Sequence, residues 1–255
     1  MPTTHRPPES RRPKVVLAPV GLVFGTLAGV RRDRSMHGPG IAHRARLELD
    51  PPAGLVDGAP LFQRRAAFDA TVRFSRGIGL PQPAADLLGV AIRVHDAHGP
   101  GEPQDLLVTS SGGRPVTRRM LLPACDGFFG QWFSSVLPYR VGTRRTLLGL
   151  RATAPATGSG TDFERLEATA RAGGPEFALA LADGPGWTRV GTLRIGERLP
   201  DDEATTLVFD PWTTSGGIRP VGVLNRLRAG AYPASRRVRE ALWARGVGRG
   251  ADAAR

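Results

Sequence analysis

Short runs of alternating apolar and polar residues recur through the first half of the chain. Residues 40–49 (GIAHRARLEL) alternate imperfectly through Ile41, His43, Arg44, Ala45, Leu47 and Leu49. Residues 70–75 (ATVRFS), 89–95 (GVAIRVH) and 105–110 (DLLVTS) are β-branched or alternating, and Gly, Pro or Asp separates them. Side chains two residues apart share a face of an extended strand, so each run predicts a β-strand. A second set of strands is expected over 176–182, 188–195 and 205–209. Helices are expected over 123–136, 144–152 and 162–171. An Arg-rich helix is expected over about 233–246, with Ala234 and Ser235 near its start and Gly246 near its end. No internal repeat is visible.

Two strand sets with helices inserted between them predict an α+β fold built on a closed antiparallel β-barrel. The pattern alone does not separate a barrel from a sandwich. Residues 1–14 are polar, Pro-rich and basic, which predicts a disordered basic arm. No linker demands a split after it, so residues 15–255 are expected to form one domain. The 16-residue apolar run Val15–Val30 follows Arg11-Arg12-Pro13-Lys14 and resembles a signal core. It contains Pro19 and three glycines and is short for a bilayer crossing, so it is expected to be a buried arm with no membrane span.

Composition supports a turn-rich, β-rich chain: 33 Gly and 23 Pro occur among 255 residues. Cys125 is the single cysteine. That excludes an internal disulfide and a Cys-rich zinc site, and it fits a reducing, cytoplasmic location. The formal net charge is +12, and Lys14 is the only lysine, so arginine carries nearly all of the positive charge. Arginine grips carboxylates through two parallel charge-assisted hydrogen bonds. Residues Arg226–Arg249 hold seven Arg and one Glu, a basic stretch suited to nucleic acid or anionic lipid. No reader motif, zinc knuckle or aromatic platform accompanies it, and no nucleic-acid partner is expected.

Several familiar chemistries are missing. There is no phosphate-cradling G-x-x-x-x-G-K-[ST], no G-x-G-x-x-G after a strand and no G-x-S-x-G elbow, so Gly158-Ser159-Gly160 reads as a loop. His95 and His98 sit in a polar turn with no third metal ligand at a set spacing. Cys125 lacks an identifiable base and reads as a small buried residue. Asp201-Asp202-Glu203 reads as a turn between strands.

The C-terminal stretch carries more chemistry. Tyr232, one of two tyrosines, stands among arginines in Arg228-Ala-Gly-Ala-Tyr232-Pro233-Ala-Ser-Arg236-Arg237-Val-Arg239. A tyrosine ordinarily ionises near pH ~10 and is a poor metal ligand at neutral pH. A guanidinium one helical turn away, as Arg228 is from Tyr232 in a helix, favours the phenolate, a hard anionic ligand for ferric iron.

This segment resembles the haem-ligating helix of catalases, R-x-F-x-Y-P-D-T-x-x-x-R, through Arg228, Tyr232, Pro233 and Arg239. Ser235 takes the place of the Thr, while Gly230 and Ala234 depart from the Phe and Asp. Further segments are similar in the same order. Arg34-Ser-Met-His37-Gly-Pro-Gly40 resembles R-x-x-H-A-x-G, in which the His is the distal acid–base residue. Val72-Arg73-Phe74-Ser75 matches V-R-F-S, in which the Ser bonds the distal His and the Arg lies by the propionates. Gly89-Val-Ala-Ile-Arg93-Val resembles the next strand, with Leu88 where Arg is usual. Asp105-Leu-Leu-Val-Thr109-Ser110 falls where catalases have D-L-V-G-N-N, so Thr109 replaces the first Asn.

The resemblance covers roughly residues 34–111 and 209–239 and implies a catalase-type barrel that binds haem b with ferric iron. Tyr232 is then the iron ligand, His37, Ser75 and Thr109 line the distal side, and Arg34, Arg73, Arg228 and Arg239 hold the cofactor. The expected activity is that of a haem-dependent peroxidase on organic hydroperoxides, with an electron donor as second substrate and a homo-oligomer as a possible assembly. Hydrogen peroxide dismutation, a specialised biosynthetic role on the same fold, and a basic nucleic-acid- or lipid-binding protein stand as alternatives.

Overall fold

The structure is a computed structural model that describes residues 39–124 and 126–222. Its strands are β1 (Gly40–Leu49), β2 (Ala66–Arg76), β3 (Leu88–Val94), β4 (Gln104–Ser111), β5 (Trp132–Ser134), β6 (Tyr139–Val141), β7 (Arg144–Thr146), β8 (Leu148–Ala152), β9 (Glu176–Asp183), β10 (Gly186–Arg198) and β11 (Ile218–Pro220). Its α-helices are α1 (Asp162–Arg171) and α2 (Asp201–Thr206).

Eight strands close into an antiparallel barrel in the order β1-β10-β9-β8-β5-β4-β3-β2. Closure leaves no unpaired edge in this sheet. The alternation read in the sequence fills the barrel. Leu47, Val72, Phe74, Val90, Ile92, Leu106, Phe133, Leu148, Leu150, Phe177, Leu179 and Leu193 point inward and are fully buried. Phe74 sits at the centre, edge-on to Phe128 at 5.0 Å and 5.7 Å from Phe177 between ring centroids. β11, β6 and β7 form a separate three-stranded sheet.

The expected strands at 40–49, 70–75, 89–95, 105–110, 176–182 and 188–195 all form, and the helix at 162–171 has the expected bounds. α1 opens on a full capping box: Thr161 Oγ1 accepts from the Glu164 N–H while Glu164 accepts from the Thr161 N–H. Leu166 is its buried anchor.

Three expected elements differ. Residues 123–124 and 126–131 are irregular, and β5 follows. Gly127 lies at φ +61, in the left-handed region, and interrupts any helix there. Residues 144–152 form β7 and β8, not a helix. The Leu-rich run is a barrel stave with Leu148 and Leu150 inside, and the Trp187 ring covers Gly149 outside, where a Cβ would lie 2.6 Å from Cε3. The strand expected at 205–209 is absent, because residues 201–206 form α2 instead. Asp201, Asp202 and Glu203 are its first turn rather than a turn between strands, where carboxylates complement the helix dipole. The Arg-rich helix at 233–246, the basic arm at 1–14, the run at 15–30 and Cys125 lie outside the described residues.

Candidate functional site

Barrel register brings two of the resemblance residues onto one surface. Ser75 on β2 pairs with Gly89 on β3, and Gly89 pairs with Thr109 on β4. The neighbouring row is Arg73, Ala91 and Leu107. Residues paired this way share a face, and here it is the outer face, since Val72, Phe74, Val90 and Val108 fill the inside. Gly89 leaves the centre of this surface bare. A Cβ there would stand 2.9 Å from Ser75 Oγ. With Ala91 beside it, the surface between the two hydroxyls carries only small side chains.

Both hydroxyls spend their hydrogens on β3. Thr109 Oγ1 donates to the Leu88 carbonyl at 3.0 Å, and Ser75 Oγ donates to the Gly89 carbonyl at 3.5 Å. Each is left with acceptor lone pairs. Ser75 Oγ can thus accept a further hydrogen bond. Thr109 offers no donor unless it releases Leu88. Arg73 lies at the edge, its guanidinium carbon 2.9 Å from where a Gly40 Cβ would stand. Burial lowers its pKa by making the cation costlier to hold.

One row further down, Thr71, Arg93 and Asp105 are in register. Arg93 forms a bidentate pair with Asp105 at 2.8 and 2.7 Å and donates to the Val208 carbonyl at 2.6 Å. Asp105 is fully buried and also accepts from the Asp210 N–H at 2.8 Å. Burial, the largest influence on this carboxyl, pushes its pKa up, and the bond to Arg93 opposes it. Phe209 lies under the Arg93 guanidinium at 5.3 Å. This clamp ties residues 208–210, on the way to the Tyr232 stretch, to the wall that carries Ser75 and Thr109. The sequence shows Arg93 and Asp105 within their motifs, but the third partner is 105 residues away from Asp105 and leaves no local signal.

His37, Arg34, Arg228, Tyr232 and Arg239 lie outside the described residues, so the expected iron ligand, the expected distal acid–base residue and three of the expected cofactor arginines have no described geometry. His95 and His98 are each held by a side-chain hydrogen bond. His95 bonds Thr71 Oγ1 at 2.9 Å, His98 bonds Gln104 Oε1 at 3.1 Å, and no cluster of three metal-ligating side chains occurs among the described residues.

Two further features were not anticipated. Arg118, Trp187, Trp132 and Arg151 stack in series on the barrel exterior, the indoles 4.9 Å apart and near parallel, each capped by a guanidinium. Separately, a cavity of about 450 Å³ opens beside α1 and β10, lined by His43, Glu167, Arg171, Ile195 and Arg198. None of its lining residues belongs to the Ser75–Thr109 surface.

A closed eight-stranded antiparallel barrel with Ser75, Gly89 and Thr109 in register on its outer wall defines the class of fold. Within that class, the described residues adopt the catalase-type fold. The chain is similar to the crystal structure of a fungal catalase, with 14% identity, a TM-score of 0.57 and 87% of this chain covered. It is similar to catalase A from Saccharomyces cerevisiae, with 13% identity, a TM-score of 0.55 and 87% covered. It is also similar to a bacterial catalase, with 14% identity, a TM-score of 0.52 and 84% covered. The match spans 62%, 64% and 63% of the lengths of those chains. No protein-family model and no curated protein matches the chain. No helix among the described residues is long and apolar enough to cross a membrane.

Proposed function

We propose that this protein is a haem-dependent oxidoreductase that consumes organic hydroperoxides, in which Tyr232 would hold the iron and the Ser75–Gly89–Thr109 wall would line the peroxide site. The observation that carries this reading is the wall itself. On a catalase-type barrel, the two expected distal residues stand in register on either side of a glycine whose missing side chain leaves room for a flat ring. That bare, half-buried strip fits one face of a haem. Arg73 at its edge suits a propionate, joined by Arg34 and Arg239, each charge-assisted bond contributing roughly 1.5–3 kcal/mol.

Bound haem supplies the redox chemistry of iron, tuned by an anionic phenolate ligand. The protein's own part is proton management. Ser75, its hydrogen held by Gly89, accepts an N–H from His37 and orients the ring. His37 takes the proton of the hydroperoxide and returns it to the leaving oxygen, a role typically worth ~10²–10⁴ in rate. Thr109 stands where an amide donor is usual, and its hydrogen is committed to Leu88. It therefore gives hydrogen peroxide no second donor, which favours alkyl hydroperoxides reduced by an external electron donor over dismutation.

The test is a visible spectrum of protein expressed with ample haem, for the wild type and for Tyr232→Phe. A haem band that is lost or shifted in the variant is expected. Wild type with no haem, or a variant with unchanged haem content and spectrum, overturns the assignment. In haem-loaded protein, alkyl hydroperoxide turnover should exceed oxygen release from hydrogen peroxide, and vigorous oxygen release without alkyl peroxide turnover refutes the role given to Thr109.

A further inference from the structure

The small sheet outside the barrel carries one charged row. β11, β6 and β7 lie in that order, and in their antiparallel register Arg219 pairs with Arg140 and Arg140 pairs with Arg145. Residues paired this way project from one face. Their neighbours along the strands, Tyr139, Val141, Thr146 and Ile218, take the other face and are buried. All three arginines are exposed. Like charges directly opposite one another across a sheet are destabilising. The row therefore weakens the free protein, and folding alone gives no reason for it.

Most of the other described arginines are neutralised, and ten of them reach a carboxylate. Arg144, next to Arg145, donates to Asp183 Oδ1 at 2.7 Å and to the Leu55 carbonyl at 3.0 Å. The guanidinium groups of Arg140, Arg145 and Arg219 have no hydrogen bond or ion pair among the described residues. The sequence explains why. Residues 127–161 and 211–239 contain no Asp or Glu, so neither the β6–β7 hairpin nor the strand beside it supplies a counter-charge. Of the carboxylates on elements packed against the sheet, Asp183 is taken by Arg144. Asp57 forms no ion pair among the described residues and meets the sheet through its carbonyl, which accepts the Thr143 N–H at 2.9 Å. The same loop locks the sheet in place. Gly142 and Gly217, both at positive φ, lie so close to it that a Cβ at either would collide with the Asp57 or Gly58 carbonyl oxygen. That packing fixes the spacing of the three arginines, so a ligand has only their side chains left to order.

We infer that the Arg219–Arg140–Arg145 row binds an oligophosphate, a small ligand with two or more linked phosphate groups. A guanidinium presents its N–H donors in a planar fork that matches phosphate oxygens, and it stays charged at any physiological pH. Neighbouring strands lie about 4.8 Å apart, so the three side chains are rooted over about 10 Å and flank a short chain of phosphates along its length. The row is one residue deep on each strand and stops at the edges of the sheet, β11 and β7. A nucleic-acid backbone overruns so short a row. The only aromatic side chain in the three strands, Tyr139, is buried, so no base has a ring to stack on. Bound phosphate cancels the repulsion within the row, and a ligand held by the native state alone raises its stability. The inference needs neither haem nor the proposed function.

The experiment titrates the full chain with inorganic tripolyphosphate in a calorimeter at fixed ionic strength, with orthophosphate and a short single-stranded oligonucleotide as comparisons. Tripolyphosphate should bind about tenfold or more tighter than orthophosphate, because it reaches at least one further guanidinium. Arg140→Gln, at the centre of the row, should weaken tripolyphosphate binding about tenfold or more, and Arg145→Gln and Arg219→Gln should each weaken it as well. Arg140→Lys keeps the charge without the fork and should lose less than Arg140→Gln. Arg171→Gln removes one charge on α1 and should bind as the wild type does. The three row positions are exposed and unpaired, so without ligand their Gln variants should unfold at the wild-type temperature or above it. Residues 226–249 are also basic, so the site is located directly: tripolyphosphate should shield Arg140, Arg145 and Arg219 from an arginine-directed dicarbonyl reagent, read by mass spectrometry. No binding by the wild type, binding that survives the three row substitutions, or an equal loss in Arg171→Gln overturns the inference. Orthophosphate binding as tight as tripolyphosphate overturns the oligophosphate as ligand. An oligonucleotide that binds tighter than tripolyphosphate and is lost in Arg140→Gln assigns the row to nucleic acid and overturns it too.

Discussion

Breaking the Arg93–Asp105 clamp from either side should cost different amounts, and the asymmetry follows from burial. The Asp105 side chain has no exposed surface, while Arg93 keeps 23% of its own. Removing one partner of a buried pair leaves an uncompensated charge and typically costs about 3–5 kcal/mol. Asp105→Ala strands a guanidinium that still donates to Val208 and can reach water, which places it near ~3 kcal/mol. Arg93→Met strands a fully buried carboxylate held only by the Asp210 N–H, which places it near ~5 kcal/mol. The double variant Arg93→Met/Asp105→Leu removes both charges and leaves the Val208 carbonyl and Asp210 N–H without these partners, a loss of about 1–3 kcal/mol. The double variant should therefore be more stable than Arg93→Met alone. Against a total stability of about 5–15 kcal/mol these differences are large enough to resolve. Urea unfolding followed by circular dichroism and tryptophan fluorescence measures them. Arg93→Met should also regain stability as pH falls, because its lone carboxyl can then take up a proton. Additive losses in the double variant, or single losses below about 1 kcal/mol, would refute the clamp.

The barrel was legible where period-two alternation ran long enough to be unambiguous. β3 alternates over seven residues and β1, imperfectly, over ten, and the opposite parity would turn their apolar sets to water. His43 has the parity of Ile41, Leu47 and Leu49, so its burial follows from the same rule. Legibility failed in the staves of three to five residues, where an apolar run fits either period. Leu147-Leu148-Gly149-Leu150 reads equally well as a helix. The deciding fact is that Trp187, 38 positions downstream, occupies the outer space above Gly149. β6, β7 and β11 are three residues each and owe their existence to one another. For the site, motif order placed Ser75 and Thr109 on the strands either side of the one that carries Gly89, and their register across Gly89 gives that order a geometric meaning. The Arg93–Asp105–Asp210 clamp was not legible, nor was the brace in which buried Asp86 accepts from the N–H groups of Ile78, Gly79 and Leu80. Both join a side chain to backbone groups, and backbone groups carry no residue-specific signal.

Gly89→Leu should fill the bare strip and abolish haem uptake while leaving the barrel folded, since the new side chain points outward; full haem occupancy in this variant refutes the proposed face. Arg76→Met should destabilise the protein by about 3 kcal/mol or more, because it removes the cation between two acidic side chains that are almost fully buried, Asp86 and Asp162; a loss in urea unfolding below about 1 kcal/mol shows that the Asp86 brace holds without it. The last prediction concerns His43. Its Nδ1 bonds the Gly196 carbonyl at 3.0 Å, which fixes the neutral tautomer with hydrogen on Nδ1. Its Nε2 is buried without a partner among the described residues, and the ring stands edge-on to Phe74 at 6.2 Å between centroids. Protonation would place an N–H at that atom with nothing to accept it. Burial therefore lowers the pKa of His43, with the Gly196 bond and Glu167 acting upward and Arg198 acting downward. In the unfolded chain the ring takes up its proton near pH 6.5. Above that value the ring is neutral in both states and contributes no pH dependence. Below it the unfolded state binds a proton that the native state refuses, so stability falls with pH by up to about 1.4 kcal/mol per unit until the native pKa is reached. The stabilisation is thus present at neutral and alkaline pH and is lost on acidification. Urea unfolding of wild type and His43→Leu from about pH 7 to about pH 5 isolates this contribution, since the variant lacks the ring but keeps every other titrating group. A shallower slope in His43→Leu is expected, and identical slopes would mean that the native ring accepts its proton at the ordinary pH and that the barrel opens to water at this position.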